Sequence, residues 1–330
     1  MATPFDIQGN FLTPRHVFKS VTSRICVLAT FLALILALSP SADAARQEPT
    51  SAEPISTPAA APAPPALPPT TDPVEIIRRV AAHEQENEKK ERNYTYVQDV
   101  LEKKLDDKGA VKSTEKRSYD VMIIYGEQVE RLVAKDDKPL PPKDAAEEEQ
   151  KINKLIEKYK DETEDQRKRR LEKAEKNKEE DRAFVKDIAD AFDFTMLPPE
   201  TADGRTLYPI QAEPKPGFSP TSKQGKYLTK FRGKVWVDPT EQQWVRLDIE
   251  LTDTVSFGWF IARFHKGTHI HMEQTRVNDE VWLPLLVHLD LGARILLKGM
   301  NYDITQTYRD YKKFGSQTKI TIGDEVVTNP

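Results

Sequence analysis

The sequence predicts an α+β protein in which helices cover one face of an antiparallel β-sheet. The run 227–314 consists of strand-like segments that alternate apolar and polar side chains, the spacing that places successive side chains on opposite faces of a strand. All four tryptophans of the chain lie in this run. Two other segments, one starting at Pro73 and one spanning 145–192, carry apolar residues at helical spacing. One face of the predicted sheet is therefore apolar and must be covered by these helices or by an apolar ligand.

Composition and charge exclude several classes of protein. Charged residues make up 31% of the chain and hydrophobic residues 38%, so a core exists but is diluted by charged and Pro-rich segments. The net charge of −4 gives no electrostatic reason to expect a nucleic-acid partner. The only cysteine, Cys26, lies in a targeting segment, so we expect neither disulfide nor thiol chemistry in the mature chain.

Residues 1–44 are interpreted as a secretory signal peptide. Basic residues precede the apolar run 27–38, and Ala42-Asp43-Ala44 then forms a small-x-small cleavage site. The apolar run of about 12 residues is shorter than the ~20 that a membrane-spanning helix needs. We therefore expect a periplasmic or secreted protein, with anchoring to the membrane by an uncleaved signal as the alternative.

A Pro- and Ala-rich linker, 45–72, separates the signal from the first helix. Its composition cannot bury a core and favours extended, disordered conformations. Asp72 is a suitable N-cap and Pro73 fits the first helical position. Apolar residues from 74 to 81 then recur on one helical face. We expect the charged stretch 84–92 to end this helix.

The middle of the chain predicts three strands and a helical insertion. Segments 93–105, 111–125 and 128–135 are separated by turn residues and read as a meander. The insertion 145–192 has apolar stripes at both ends, whereas 160–182 is almost wholly charged. No heptad pattern is sustained there, so ion pairs in a solvated helix account for it better than a coiled coil does. We expect the two ends of the insertion to dock on the protein and its middle to project.

A group of histidines is the strongest candidate for chemistry. His265, His269, His271 and Glu273 are residue types that bind zinc, and the last three of these share one face of a strand. A solvated sheet face explains them better, because no HExxH or comparable spacing is present. Motifs for a nucleophile and for a phosphate-binding loop are also absent. We therefore predict no catalytic residue, no metal and no cofactor, and keep these four residues as minor metal candidates.

Two segments of the predicted sheet, 255–264 and 281–291, are apolar on both faces. Such a strand is either covered on both sides or lines a cavity, and Pro284 in the second segment indicates an edge or a bulge. An ordinary core beneath the helices is the alternative. The candidate cavity residues in these segments and in the preceding strands are Val235, Val237, Leu247, Ile249, Phe257, Trp259, Phe260, Phe264, Trp282 and Leu285.

The segment 233–238, GKVWVD, followed by 244–247, WVRL, resembles the outer-membrane lipoprotein-sorting and lipoprotein-carrier-like proteins of bacterial envelopes. The resemblance implies an incomplete antiparallel β-barrel, a half-barrel, wrapped over helices around an apolar cavity that accepts acyl chains. The half-barrel domain would span 73–314 and would include the long charged helical insertion, which the compact carriers lack. A C-terminal tail, 315–330, would follow.

The expected function is that of a non-catalytic exported envelope protein that binds a lipid or a lipidated partner in the half-barrel. One alternative is a structural or interaction module that contacts an envelope protein through the charged helix 145–192. A second alternative is a metal-dependent hydrolase.

Overall fold

The structure is a computed structural model that describes residues 72–125, 127–257, 262–295, 298–314, 320–322 and 325–327. The predicted signal peptide and the predicted linker up to residue 71 lie outside the described residues. Among the described residues, no helix has both the length and the apolar character needed to cross a membrane.

The described residues contain three α-helices: α1 (Pro73–Glu91), α2 (Pro142–Lys160) and α3 (Glu164–Ala191). The predicted start of α1 is confirmed, because Asp72 caps it and accepts a hydrogen bond from the Val74 backbone N–H at 3.0 Å. The expected end is wrong, because the charged stretch 84–92 forms the last two turns of α1. Three polar residues of this stretch, Glu84, Asn87 and Glu91, are buried on the same side of the helix as Ile77 and Val80. Their packing against the rest of the protein stabilises the last two turns.

In the part of the chain that the structure describes, the strands form one large sheet and a separate hairpin. In chain order they are β1 (Tyr94–Leu105), β2 (Val111–Ile124), β3 (Glu127–Lys135), β4 (Lys138–Pro139), β5 (Phe192–Met196), β6 (Glu200–Ala202), β7 (Arg205–Pro214), β8 (Phe231–Asp238), β9 (Gln243–Leu251), β10 (Val255–Phe257), β11 (Ala262–Phe264), β12 (His269–Val277), β13 (Val281–Ile295), β14 (Lys298–Lys313), β15 (Ile320–Ile322) and β16 (Glu325–Val327). The last two strands pair with each other inside the predicted tail.

The main sheet is antiparallel and open, which confirms the predicted α+β half-barrel class. Its order is β4-β3-β2-β1-β14-β13-β12-β9-β8-β7-β5, with β6, β10 and β11 attached beside this path. The predicted meander is confirmed as β1, β2 and β3. Because β1 pairs with β14, the first and last strands of the domain are neighbours in the middle of the sheet.

The strand run that was expected from residue 227 begins instead with a 3₁₀-helix, Gly225–Lys230. Leu228 in this helix is completely buried and belongs to the main core, together with Phe184 of α3 and Phe231 of β8. The 3₁₀-helix packs against α3 and thereby helps to hold the end of that helix over the sheet.

Helices pack on the sheet in two places, α1 on the inner face and α2 on the opposite face. Ile77 and Val80 of α1 pack on Ile210 and Val237 of the strands. At the other end of the sheet, Ile152 and its neighbours in α2 pack on β2 and β3. The two ends of the helical insertion therefore dock, as predicted, one through α2 and one through the C-terminal part of α3.

Candidate functional site

A partly open cavity of about 230 Å³ lies between α1, the C-terminal part of α3 and the inner face of the sheet. Seven strands contribute to its wall: β5, β7, β8, β9, β12, β13 and β14. The wall is mainly apolar; representative side chains are Ile77 and Val80 of α1, Phe184 and Ile188 of α3, and Leu247 and Ile249 of β9.

The alternation of β8 and β9, interrupted by one bulge, points the apolar side chains into the cavity. Val235 pairs with Leu247, whereas Val237 pairs with Trp244, so β9 contains one residue more than β8 over this stretch. An inserted residue of this kind rotates the following side chains to the other face. As a result Trp244 and Leu247, three positions apart, both line the cavity.

Five of the predicted cavity residues lie on the inner face in β8, β9 or β11. Val235, Leu247 and Ile249 line the cavity. Val237 is buried against α1, and Phe264 is buried in the main core. Val237 and Phe264 therefore belong to the packed core next to the cavity and do not line it.

The structure places the two candidates on β13 elsewhere. Glu273 pairs with Leu286 and Gln274 with Pro284, so Leu285 is the extra residue of a bulge at the predicted site. It points to solvent with 42% of its surface exposed, whereas Pro284 lines the cavity.

Trp282 is buried but does not line the cavity. Its ring lies 5.0 Å from the Arg205 guanidinium, and its backbone exchanges two hydrogen bonds with the Asn87 side chain, at 2.7 and 2.8 Å. Trp259, Phe260 and the side chain of Phe257 lie outside the described residues.

A stripe of carboxyl groups on α1 lines the cavity, and the sequence reasoning missed it. The buried face of α1 includes Ile77, Val80, Glu84, Asn87 and Glu91. These residues follow one another at intervals of three or four, and the first two are apolar whereas the last three are polar. This spacing was visible in the sequence. A charged run on a helix is usually solvated, however, so the sequence alone does not predict that these carboxyl groups are buried.

Glu84 is held by a buried network of amides. Gln243 Nε2 donates a hydrogen bond to the Glu84 carboxylate and lies 3.0 Å from Gln274 Oε1. Only 7% of Glu84 is exposed. Burial raises the pKa of Glu84 to about 7, although the hydrogen bonds from Gln243 and Gln274 oppose this change.

Glu91 is equally buried but lacks such a network. It is 7% exposed, and within the described part of the chain no donor lies within hydrogen-bonding distance of its Oε1. Burial raises the pKa of Glu91 well above its ordinary value, and the nearby charges of Glu84 and Glu88 raise it further. Glu88, which also lines the cavity, pairs with Arg92 at 2.5 Å.

The histidine group lies on the outer face of the sheet, opposite the cavity. His271 contacts Asp248 through Nδ1 and Glu273 through Nε2, both at 3.0 Å, and His269 Nε2 lies 3.1 Å from Asp248. The structure therefore brings His269, His271 and Glu273 together, and neighbouring carboxylates already engage both ring nitrogens of His271. His265 lies in the turn after β11, exposed to solvent.

A second group on the same outer face has the ligand types of a cation site. One ligand atom each from His288, Asp290 and Asp303 lies within 4.8 Å of the others. His288 Nδ1 contacts Thr305 Oγ1 at 3.0 Å, and Asp303 contacts Lys103 at 3.5 Å. The group could hold a divalent cation, but it faces away from the cavity.

Comparison with known proteins returned similar structures but no sequence family. No protein-family model matches the chain, and no curated protein matches it. An outer membrane lipoprotein-sorting protein domain from Vibrio parahaemolyticus is 10% identical, with a TM-score of 0.32, over 75% of this chain and 96% of that one. A DUF1329 family protein from Desulfovibrio piger is 12% identical, with a TM-score of 0.28, over 74% of this chain and 94% of that one. A LolA superfamily protein from Nitrosomonas europaea is 9% identical, with a TM-score of 0.28, over 72% of this chain and 92% of that one. TM-scores and identities this low carry no argument about the function of this chain.

Proposed function

We propose that this chain is a non-catalytic exported protein that binds an acyl chain of a lipid or of a lipidated protein in the cavity beneath α1 and α3. The observation that carries this proposal is the mainly apolar wall contributed by both helices and by seven strands. An acyl chain suits such a wall, because binding removes apolar surface of both the ligand and the cavity from water. Each CH₂ group that is buried adds about 0.8 kcal/mol to the free energy of binding.

The size of the cavity fits part of an acyl chain. Its volume of about 230 Å³ exceeds the ~150 Å³ of an engineered apolar cavity that stays dry and binds benzene. It is smaller than the ~300–1,000 Å³ typical of pockets that enclose a drug-sized ligand. The rest of the lipid would therefore extend through the open side of the cavity.

A pair of tryptophan substitutions on α1 tests the proposal. Ala81 lines the cavity, whereas Ala82, the next residue of the same helix, is exposed. We expect Ala81→Trp to fill the cavity and to lower the affinity for a fluorescent fatty acid at least about tenfold, since several buried methylenes are lost. Ala82→Trp, the matched control, should bind like the wild type.

Native mass spectrometry of the protein purified from its own envelope gives an independent readout. We expect the wild type and the Ala82→Trp variant to carry bound lipid, and the Ala81→Trp variant to be free of it. Equal lipid occupancy in both variants, or a wild type that binds no amphiphile with an acyl or alkyl chain, would contradict the proposal.

The charged part of α3 supports a second candidate function, contact with an envelope protein. Residues 164–169 are exposed, and among the described side chains of α3 those that pack in the main core begin at Phe184. Replacing 162–181 by a short flexible linker should leave acyl-chain binding unchanged if this arm serves a partner. Loss of acyl-chain binding on that replacement would instead show that residues 162–181 are needed to keep the cavity intact.

A further inference from the structure

We propose that the ligand of this cavity is an amphiphile whose polar end is a protonated amine, and that Glu91, assisted by Glu88, receives the ammonium group. This inference rests on the proposed acyl-chain binding and specifies the chemistry of the polar end. It follows from the acidic stripe of α1 and from the missing hydrogen-bond partner of Glu91.

Three carboxyl groups line one wall of the cavity within two turns of α1. Glu84, Glu88 and Glu91 are spaced by four and three residues, which places them on the same side of the helix. Like charges at this spacing repel each other, and the pKa of Glu91 is raised partly for that reason. A cation in the cavity relieves this repulsion, whereas a hydroxyl group does not.

Glu91 is the member of the stripe with a vacant acceptor. Gln243 satisfies Glu84 and Arg92 pairs with Glu88, but among the described residues nothing donates to Glu91 Oε1. A buried polar atom without a partner has lost its hydration without gaining a hydrogen bond in return, which destabilises the protein. A ligand that donates a hydrogen bond at this point removes that cost.

Two tyrosine hydroxyl groups close enough to feel the charge of Glu91 donate to other acceptors. Tyr308, which lines the same cavity, donates to Gln306 at 2.8 Å. Tyr311 donates to the Pro284 carbonyl at 2.5 Å. A ligand donor therefore has no competitor for Glu91 from these two side chains.

An anionic polar end is the rival, since Arg232 and Lys234 also line the cavity. Both cations have partners: Arg232 donates to Glu250 at 2.6 and 2.9 Å, and the Lys234 ammonium lies 4.9 Å from the Trp236 ring. The polar atom of the cavity that lacks a partner is thus an acceptor, Glu91 Oε1. Charge complementarity therefore favours a ligand with an ammonium group over one with an anionic end.

Three amphiphiles of equal chain length test the inference by isothermal titration calorimetry: dodecylamine, dodecanol and dodecanoic acid. We expect the wild type to bind dodecylamine about tenfold or more tightly than dodecanoic acid, as expected for a buried charge pair. In Glu91→Gln the affinity for dodecylamine should fall about tenfold, whereas that for dodecanol should stay the same. Glu86→Gln, an exposed change on the same helix, should leave all three affinities unchanged.

The outcomes separate this inference from the proposed function. If the wild type binds the amine and the acid equally, or if Glu91→Gln keeps the preference for the amine, the amine subsite is wrong while acyl-chain binding stands. If the wild type binds none of the three compounds, both proposals fall. The comparison within the wild type holds even if the Glu91 variant does not fold.

Discussion

Glu84 is a carboxyl group that burial makes sensitive to pH near neutrality. Its pKa is raised to about 7 in the folded protein, compared with about 4.3 in an unfolded chain. The folded state therefore binds the proton more tightly than the unfolded state does. The stabilisation is complete below about pH 4.3 and is lost as the pH rises through 7.

We predict that the free energy of unfolding falls by about 3 kcal/mol between pH 5 and pH 8 on account of Glu84. Glu84→Gln should remove this part of the slope, because the amide does not titrate. Urea denaturation at several pH values measures the effect. Glu91, His83 and Glu88 lie on the same helix, and Glu91 should add to the slope in the same direction.

Glu86→Gln is the control for this prediction, since Glu86 is exposed on the same helix. It should keep the wild-type slope. A Glu84→Gln variant whose unfolding free energy declines with pH as steeply as that of the wild type would show that Glu84 is charged throughout this range.

Individual cavity residues differed in how far the sequence could place them. Val235, Leu247 and Ile249 could be assigned to the inner face because alternation in a strand has a period of two. Leu285 could not, since one inserted residue reverses the alternation and the exact point of insertion depends on pairing with β12. Glu91 was missed because burial of a carboxyl group depends on what packs above it, which local sequence does not contain.

At the scale of the element, Asp187 fixes the C-terminal part of α3 over the sheet. Its carboxylate accepts hydrogen bonds from the backbone N–H groups of Thr221 and Ser222, at 2.9 and 2.7 Å, and from their hydroxyls, at 2.7 and 2.5 Å. Burial acts to raise the pKa of Asp187, but hydrogen bonds from Ser222 and Thr221 outweigh it and hold the pKa below its ordinary value. A side chain at Gly225 would collide with this carboxylate, so the glycine allows the close approach.

We predict that Asp187→Ala lowers the free energy of unfolding by about 2–3 kcal/mol, because it leaves the buried backbone N–H and hydroxyl of Ser222, and the part-buried donors of Thr221, without this acceptor. Asp190→Ala is the matched control on the same helix. Asp190 is half exposed and its contact with Arg78 is 3.5 Å long, so its removal should change the unfolding free energy by less than about 0.5 kcal/mol. Equal losses in guanidinium denaturation of the two variants would contradict this role of Asp187.

The start of α1 was predictable from the sequence, whereas its end was not. Asp72 and Pro73 carry a local capping signal. The last two turns are stabilised by contacts across the fold, such as those between Asn87 and the backbone of Trp282. Contacts of this range leave no local pattern in the sequence.

For the whole molecule, the open antiparallel sheet was predictable as a class, but its strand order was not. Alternation and turn residues define the strands one by one. The pairing of β1 with β14 joins residues more than two hundred positions apart in the chain, for example Tyr94 and Lys313. This pairing places the meander beside the C-terminal strands and widens the inner face of the sheet. The helices α1 and α3 cover only part of that face, and the cavity lies between them and the sheet.

Photo-crosslinking with an acyl chain that carries a diazirine tests the central claim most directly, because it reports which side chains surround the ligand. We predict cross-links on peptides that contain Leu247, Ile249 or Val287, which line the cavity, and loss of these cross-links in Ala81→Trp. Cross-links confined to exposed positions such as Leu285, and equally strong in Ala81→Trp and in the wild type, would show that the cavity does not hold the acyl chain.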